Sequence, residues 1–248
     1  LVGLIHASAG SATVLGRNAL SFDSELRSHI GYLPGVLELY KRMTGSDFLK
    51  FLAKIRNRNC DNQITELAER FNVDLSRHLS DLSKGNRQKI GVIQAFMHEP
   101  EVLILDEPTA GLDPIVQRQF EEVLNQARSR GAAIMLSSHV LSEVEHLADR
   151  VAVVNQGKLA ALEHISVLKE RAIRTLDLTF HLPVPETAFS KLPGVKSVSI
   201  RDLVVTCEVI GSELQVLETA VKYGVVSVRS REVSLEEIFM SLVQSGAQ

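Results

Sequence analysis

One stretch of the sequence, EVLILDEPTAGLDP, constrains the fold more than any other. Its apolar run from Val102 to Leu105 lies between Pro100 and Pro108. A short, unbroken apolar run with such boundaries predicts a strand that is buried on both faces of a parallel sheet. Asp106 and Glu107 follow this strand directly, and open α/β sheets place their ligands at the carboxyl ends of their strands. The sequence therefore indicates a functional site at these two carboxylates.

The two carboxylates suit two different tasks. A hard cation such as Mg²⁺ prefers oxygen ligands, and one carboxylate such as Asp106 is sufficient when water and substrate phosphates supply the other ligands. Glu107, one residue further on, could orient and polarise an attacking water molecule. An isolated Asp-Glu pair is more often a solvated acidic turn, so the interpretation depends on the motifs that accompany it.

Three motifs in the same order resemble those of the ATP-binding-cassette (ABC) ATPases. The string LILDEPTAGLDP resembles the Walker B strand and D-loop of that family, and LSKGNRQKIG, from Leu82 to Gly91, resembles its signature sequence. A second apolar strand, Ala132 to Leu136, is followed by Ser-Ser-His, in which His139 resembles the switch histidine. Three motifs in order are far more specific than any one of them. The resemblance covers residues 1 to about 165.

The resemblance implies a fold class, a reaction and its cofactors. The expected fold is α/β and similar to that of P-loop NTPases, with a mostly parallel sheet and a helical subdomain at about residues 45–98. The implied cofactors are ATP and Mg²⁺. Asp106 would hold Mg²⁺ through water, Glu107 would act as the catalytic base, and His139 would contact the γ-phosphate.

The signature sequence is predicted to begin a helix. Ser83 is a good N-cap, and the helix from about Asn86 to Met97 is predicted to pack through Ile90, Ile93 and Met97. Its N-terminus, with free N–H groups and the positive end of the helix dipole, is an anion site. In the family, this end faces the γ-phosphate bound by the other subunit of a head-to-tail dimer. The resemblance therefore implies nucleotide-binding roles for Ser83, Lys84, Gly85, Asn86 and, in the D-loop, Asp113.

Two positions depart from the family pattern, and one motif is absent. Lys84 stands where the signature usually has its first glycine, and Gly35 stands where many relatives have the Gln of the Q-loop. No GxxxxGK[ST] phosphate loop occurs in the sequence, and Leu1 to Ile5 is predicted to end the helix that such a loop opens. Two interpretations stay open: a fragment of a longer gene product, which the preserved motif order favours, or a natural variant without the loop.

Two helices are predicted in the helical subdomain, around Asp47 to Arg56 and around Ile64 to Phe71. The first carries apolar residues at helical spacing that are predicted to be mostly core, namely Phe48, Leu49, Phe51, Leu52 and Ile55. Exposed residues of this subdomain, together with the loop from Val36 to Met43, are the candidates for contact with a transmembrane subunit.

The pattern changes after Ile165. Over residues 172–248 the predicted elements follow the order β-α-β-β-α-β with a terminal helix, which is typical of a ferredoxin-like α+β domain. Helices are predicted at Glu186 to Leu192, Ser212 to Tyr223 and Ser234 to Val243, and each of the last two is predicted to begin with a capping box at its serine. The segment resembles the accessory domain of ATPase subunits of ABC-2-type exporters.

Composition narrows the class of function. The 27 basic and 30 acidic residues give a formal net charge of -3, and there is no Trp and only 3 Tyr, so no nucleic-acid partner is expected. No apolar stretch approaches the ~20 residues of a membrane-spanning helix. Cys60 and Cys207 fit no metal-binding spacing and are predicted to be reduced thiols.

The sequence therefore predicts the ATPase subunit of an ABC-2-type exporter, similar to the multidrug and antibiotic branch. The implied partners are transmembrane permease subunits and a second ATP-binding subunit, at the cytoplasmic face of the cell membrane. Two alternatives stay open. One is a cassette ATPase acting on ribosomes or DNA, which usually has tandem cassettes or long coiled-coil arms that this sequence lacks. The other is a regulatory subunit that contributes only the signature side of a partner's ATP site.

Overall fold

The computed structural model describes residues 1–21, 23–40, 42–171 and 173–231. The chain divides into two compact units, Leu1–His139 and Val140–Gln248. The strands of the first unit are β1 (Thr13–Val14), β2 (Arg17–Asn18), β3 (Ile30–Leu33), β4 (Val102–Asp106) and β5 (Ala133–Ser137). Its helices are α1 (Ser24–Ser28), α2 (Gly45–Ile55), α3 (Asp61–Arg70), α4 (Lys84–Phe96) and α5 (Pro114–Ser129), with a 3₁₀ turn at Leu79–Asp81.

A parallel sheet forms the centre of the first unit. Its strand order is β3-β4-β5, and β4 pairs with both neighbours, as Leu33 with Leu105 and Asp106 with Ser137. The predicted strand at residues 102–105 is thus confirmed as the middle strand of three. The predicted burial of this strand on both faces is wrong: Leu103 and Leu105 are fully buried, whereas Val102 and Ile104 on the other face are only half-buried.

The predicted helix end at Leu1–Ile5 is wrong. None of these five residues is helical: residues 3–5 form bends, and Gly3 has a φ of 77°. A glycine with a positive φ does not continue a right-handed helix. The first regular element is the β1–β2 hairpin, whose two-residue turn places Leu15 and Gly16 at φ values of 50° and 74°. Positive φ at both central residues defines the tight hairpin turn that suits twisted strands.

Helices α2 and α3 lie where they were predicted, and Thr44 caps α2 by accepting a hydrogen bond from the Asp47 N–H at 3.1 Å. The prediction that the apolar residues of α2 are mostly core is only half right. Phe48 and Leu49 are buried, whereas Phe51 and Ile55 are 42% and 65% exposed. Periodicity identifies an apolar face of a helix, but it cannot say how much of that face the neighbouring elements cover.

Helices α4 and α5 start at the residues that their caps predict. Ser83 Oγ accepts from the Asn86 N–H at 3.2 Å, and Asp113 accepts from the N–H groups of Ile115 and Val116. Such caps each stabilise a helix start by about 1 kcal/mol. The predicted packing residues are buried: Ile90, Ile93 and Met97 for α4, and Val116, Phe120, Leu124 and Ala127 for α5. Phe96 and Phe120 meet edge to face, with ring centroids 6.1 Å apart.

His98, just after α4, is a buried titratable side chain. It is 3% exposed, its Nε2–H donates to the Ile30 carbonyl oxygen at 3.2 Å, and its Nδ1 has no hydrogen-bond partner among the described residues. Burial, reinforced by the nearby Arg56 charge, lowers the pKa of His98 from 6.5 to about 4. The folded protein therefore holds this imidazole in its neutral form.

Acidification is expected to destabilise the fold through His98. Above pH 6.5 His98 is neutral in both states and the full stability is present; stability is lost as the pH falls from 6.5 through about 4, because the unfolded chain takes up the proton first. The loss reaches about 3 kcal/mol below the folded pKa. Urea unfolding at several pH values should show it, and His98→Gln, which keeps a donor but does not titrate, should flatten the decline. Equal pH dependence in both proteins would contradict this expectation.

The second unit begins with a helix and a hairpin. Its first elements are α6 (Leu141–Leu147), β6 (Arg150–Asn155), β7 (Lys158–His164) and α7 (Ile165–Arg171). The predicted closing hairpin is confirmed, since β6 and β7 pair in antiparallel fashion. Val144 of α6 packs with Ile165 and Leu168 in a small buried cluster.

A four-stranded antiparallel sheet follows. It consists of β8 (Ile173–Phe180), β9 (Val195–Arg201), β10 (Val204–Ile210) and β11 (Val225–Arg231), in the order β11-β8-β10-β9, with α8 (Leu214–Lys222) before the last strand. This order, with a helical connection between β10 and β11, is that of the predicted ferredoxin-like arrangement. Its core is completely buried, with Leu176, Leu178 and Phe180 of β8 clustered with Val216 and Ala220 of α8.

Two helix predictions in this region need correction. The segment Glu186–Leu192 is a 3₁₀ turn at Glu186–Ala188 rather than a helix, because Pro193 disfavours the helical conformation of Leu192. Ser212 does not form the predicted capping box with Gln215: α8 begins at Leu214, and Ser212 Oγ accepts from the Leu214 N–H at 3.3 Å. Such a local bond competes with helix capping. The predicted helix at residues 234–243 and its capping box lie outside the described residues.

Within the described ranges, none of the helices has both the length and the apolarity needed to cross a bilayer.

Candidate functional site

The site is built where β4 and β5 end side by side. Asp106, the last residue of β4, is in register with Ser137, the last residue of β5. Ser137 Oγ donates a hydrogen bond to Asp106 Oδ1, and the Glu107 N–H donates to the Ser137 carbonyl oxygen at 3.1 Å. Two adjacent parallel strands thus fix the Asp106 carboxylate and the first peptide that follows it.

Glu107 and His139 form a pair immediately beyond the strand ends. Glu107 Oε2 lies 2.8 Å from His139 Nδ1, and the side chains are 28% and 78% exposed, respectively. Glu107 has a φ of 49°, which is uncommon for a residue with a Cβ atom and is found disproportionately at functional sites. The predicted residues Asp106, Glu107 and His139 are therefore brought together at one edge of the sheet, and each of the two carboxylates has a different partner.

Gly35 lies directly against the Asp106 carboxylate. A Cβ atom at Gly35 would be 2.8 Å from Asp106 Oδ2 and 3.1 Å from its Cγ. The loop after β3 approaches this closely because Gly35 has no side chain. Gly35 stands where many relatives have Gln, and its backbone lies so close to Asp106 that a side chain at this position would not fit.

The predicted signature and D-loop residues lie at the starts of α4 and α5. A Cβ atom at Gly85 would be 2.9 Å from the Gly111 carbonyl oxygen, and a Cβ atom at Gly111 would be 3.8 Å from Lys84 Cε. The start of α4 thus packs on the segment that links β4 to α5. Ser83 and Asp113 cap their own helices, and the Asn86 N–H is the group that Ser83 binds.

Sequence reasoning missed two residues of this site. Ser137 holds Asp106, and its signal in the sequence is a hydroxyl side chain at the end of the strand that follows β4 along the chain. Gln88 donates from Nε2 to the carbonyl oxygens of Glu107 and Pro108 at 3.3 and 3.0 Å. Its signal in the sequence is a polar residue at helical spacing from the apolar residues Val92 and Ala95. The structure shows that this helix face is fully buried at Val92 and Ala95.

Comparison with known proteins identifies the family. Residues 1–110 match the family model described as ABC transporter. The chain contains an ABC transporter ATP-binding domain.

Curated relatives of this ABC chain have related names. The bacitracin transport ATP-binding protein BcrA of Bacillus licheniformis is 34% identical over 180 residues, which are 71% of this chain and 59% of that protein. The probable multidrug ABC transporter ATP-binding protein YbhF of Escherichia coli is 32% identical over 166 residues, which are 65% of this chain and 28% of that protein. The first four curated relatives are matched over 53% to 61% of their own length, so the ABC chain spans only part of each of them.

Solved structures support the ABC ATPase fold. An ATP-binding subunit of an ABC transporter superposes with a TM-score of 0.64 at 26% identity, covering 68% of this chain and 72% of that one. The ATP-binding cassette MJ0796, in a dimeric post-hydrolysis state bound to ADP and Pi, superposes with a TM-score of 0.59 at 15% identity, covering 65% and 76%. The α/β fold class predicted from the sequence is confirmed.

Proposed function

We propose that this chain is the ATP-binding and ATP-hydrolysing subunit that powers an ABC-2-type membrane exporter. The observation that carries the proposal is the 2.8 Å contact between Glu107 and His139 beside Asp106, at the carboxyl end of the central strand of an ABC domain. Relatives named for bacitracin transport and multidrug transport support the exporter class.

In the proposed reaction, water attacks the γ-phosphate in line with the leaving oxygen. Glu107 orients that water and accepts its proton, and it is suited to this task because its carboxylate is held by His139 yet remains accessible to solvent. His139, which is mostly exposed, exchanges its contact with Glu107 for one with the γ-phosphate. Phosphoryl transfer depends mainly on positioning and charge stabilisation. Glu107 would position the attacking water, and His139 would stabilise charge on the γ-phosphate.

The residues at the strand ends fit Mg²⁺. The side-chain oxygens of Asp106 and Ser137 lie together, both residues are exposed, and carboxylate, hydroxyl and water oxygens are the ligands that Mg²⁺ prefers. Asp106 would hold the ion through water. When bound, Mg²⁺ would neutralise charge on the phosphates; the chain's own contribution is the fixed orientation of the Asp106 carboxylate.

The start of α4 is proposed to complete the ATP site of a second ATP-binding subunit. Helix α4 presents its N-terminal N–H groups, and its first residues can surround an anion. The structural relative MJ0796 is dimeric, which supports a two-subunit arrangement. The residues proposed for this role are Ser83, Lys84, Gly85 and Asn86, and Asp113 is proposed to connect the two sites.

An exposed apolar surface of the first unit is proposed to contact the transmembrane permease subunits. Val36, Tyr40 and Ile55 are 82%, 61% and 65% exposed, and the Tyr40 ring lies 6.2 Å from that of Phe51. Side chains of this size are commonly buried at interfaces. Contact here would hold the subunit at the cytoplasmic face of the cell membrane.

The proposed domains differ in task. Residues 1–165 would form the ATP-binding domain, with residues 45–98 as its helical subdomain, and residues 172–248 an accessory domain. A regulatory subunit that supplies only the signature side of a partner's site is the second candidate, supported by the capped start of α4, where Ser83 Oγ accepts from the Asn86 N–H.

The deciding experiment sequences the source DNA upstream of the Leu1 codon in frame and expresses the product of the whole reading frame. We expect a phosphate loop in this product and ATP hydrolysis that depends on Mg²⁺. A reading frame that starts without the loop, with a product that does not hydrolyse ATP, would overturn the catalytic proposal.

A mixing experiment then tests the regulatory alternative. The chain is added to a complete cassette whose own signature serine is replaced, and ATP turnover is measured. Turnover that this chain restores, and that Gly85→Trp in the chain prevents, would support the regulatory function. Unchanged turnover would exclude it for that pairing.

A further inference from the structure

Gln88 is a buried polar side chain in the first turns of α4. It is 7% exposed, and its Nε2 group donates to two successive backbone carbonyls, those of Glu107 and Pro108. A buried amide on an apolar helix face is unfavourable unless its hydrogen bonds are made. These two bonds are made to the peptides on both sides of the Glu107–Pro108 junction.

The backbone that Gln88 holds is in an uncommon conformation. Glu107 has a φ of 49°, in the left-handed region that residues with a Cβ atom adopt at an energetic cost. Its N–H donates to the Ser137 carbonyl oxygen at 3.1 Å, and its carbonyl oxygen also accepts from the Ala110 N–H at 3.2 Å. The surrounding contacts must therefore maintain this turn, and Gln88 supplies the only one of those named here that comes from α4.

We propose that Gln88 is a positioning residue that holds the turn at Glu107 and thereby aims the Glu107 carboxylate at His139. The inference rests on the proposed function only in giving Glu107 a catalytic role. Gln88 touches no substrate atom; it acts through the backbone of Glu107.

Gln94 provides a matched control on the same helix. Its Nε2 also donates to a backbone carbonyl oxygen, that of Tyr32, which belongs to β3 and not to the Glu107 turn. Gln88→Met and Gln94→Met each remove one side-chain amide of α4 while retaining nearly the same volume. Urea unfolding of both variants measures the stability that each loses, so that an effect at Glu107 can be separated from a general loss of stability.

The test measures amide hydrogen exchange of the chain by NMR, without nucleotide. Gln88→Met is expected to accelerate exchange of the Glu107 N–H about tenfold, the effect of losing roughly one net hydrogen bond, and to shift the Glu107 ¹³Cα resonance. Gln94→Met should leave both unchanged. Equal effects of the two variants, or no effect of Gln88→Met, would overturn the proposal.

A second measurement needs no variant and guards against misfolding. In the unmodified chain, the Gln88 side-chain amide protons should exchange with water at least about tenfold more slowly than those of Gln156, which is exposed. Comparable rates would also overturn the proposal. Neither readout involves ATP, so these measurements can refute the positioning role of Gln88 while Glu107 remains the catalytic base. Likewise, ATP hydrolysis by Glu107→Gln can refute the catalytic role of Glu107 while Gln88 still holds the turn.

Discussion

Glu107→Gln is expected to reduce ATP hydrolysis by about 10²–10⁴-fold in a product that carries the phosphate loop, the range typical for loss of a general base. The amide retains the size of the carboxylate but cannot accept the proton of the attacking water. ATP binding should persist, because Glu107 contacts His139 and the strand ends rather than the nucleotide base or ribose in this proposal. Bound ATP and dimers that persist with ATP should therefore accumulate, measurable by nucleotide retention and size-exclusion chromatography.

Glu101→Gln is the matched control for this variant. Glu101 also pairs with a histidine, with its Oε1 2.7 Å from His29 Nδ1, but it precedes β4 whereas Glu107 follows it. The control removes the same charge from the same kind of Glu–His pair. Glu101 and His29 are 72 residues apart in sequence, and Glu107 and His139 are 32 apart. Its turnover should match that of the unmodified protein. Retained turnover in Glu107→Gln would refute the catalytic role of Glu107.

Gly31→Ala is expected to cost the first unit at least about 3 kcal/mol of unfolding free energy, the upper range for overpacking. Gly31 lies in β3, where α4 crosses it. A methyl group there would overlap the Ala95 carbonyl oxygen and lie 2.7 Å from Leu103 Cδ2 and 2.8 Å from Pro100 Cγ. A backbone oxygen cannot move without displacing α4, so the strain cannot be relieved by a side-chain rotation. Urea unfolding measures the loss.

Gly157→Ala separates steric overlap from backbone conformation. Gly157 has open space around its Cα but a φ of 75° in the β6–β7 turn, so an alanine there is strained by conformation alone. That strain costs about 1–2 kcal/mol. A loss in Gly31→Ala no larger than in Gly157→Ala would show that α4 does not pack on β3 as closely as described.

Several features of this protein follow from short stretches of sequence. The apolar run before Asp106 predicts β4, Ser83 and Asp113 predict the starts of α4 and α5, and Gly157 lies in the turn of the predicted hairpin. These signals are local, because a cap bonds to N–H groups two or three residues away and a strand pattern needs only four or five residues. Where the structure overturned a local prediction, as at Ser212, an equally local bond competed with it.

Burial and long-range contacts were not predictable in the same way. Phe51 and Ile55 fall on an apolar helix face, yet they are exposed because the described neighbours do not cover them. His98 reads as an ordinary histidine, and its low pKa arises from burial and from the charge of Arg56, which belongs to a different segment of the chain. Such properties depend on which elements pack together, which no single element's pattern contains.

The sequence by itself determined the family, the α/β class, and the identity of the acidic pair and the histidine, because each is written in a contiguous motif. Only the tertiary structure decided how these residues meet. The Glu107–His139 pair, the bond from Ser137 to Asp106, the fit of Gly35 against that carboxylate and the two bonds from Gln88 all join segments distant in sequence. They exist because parallel strands end at one edge of the sheet and α4 packs beside it, an arrangement that forms only when the whole unit folds.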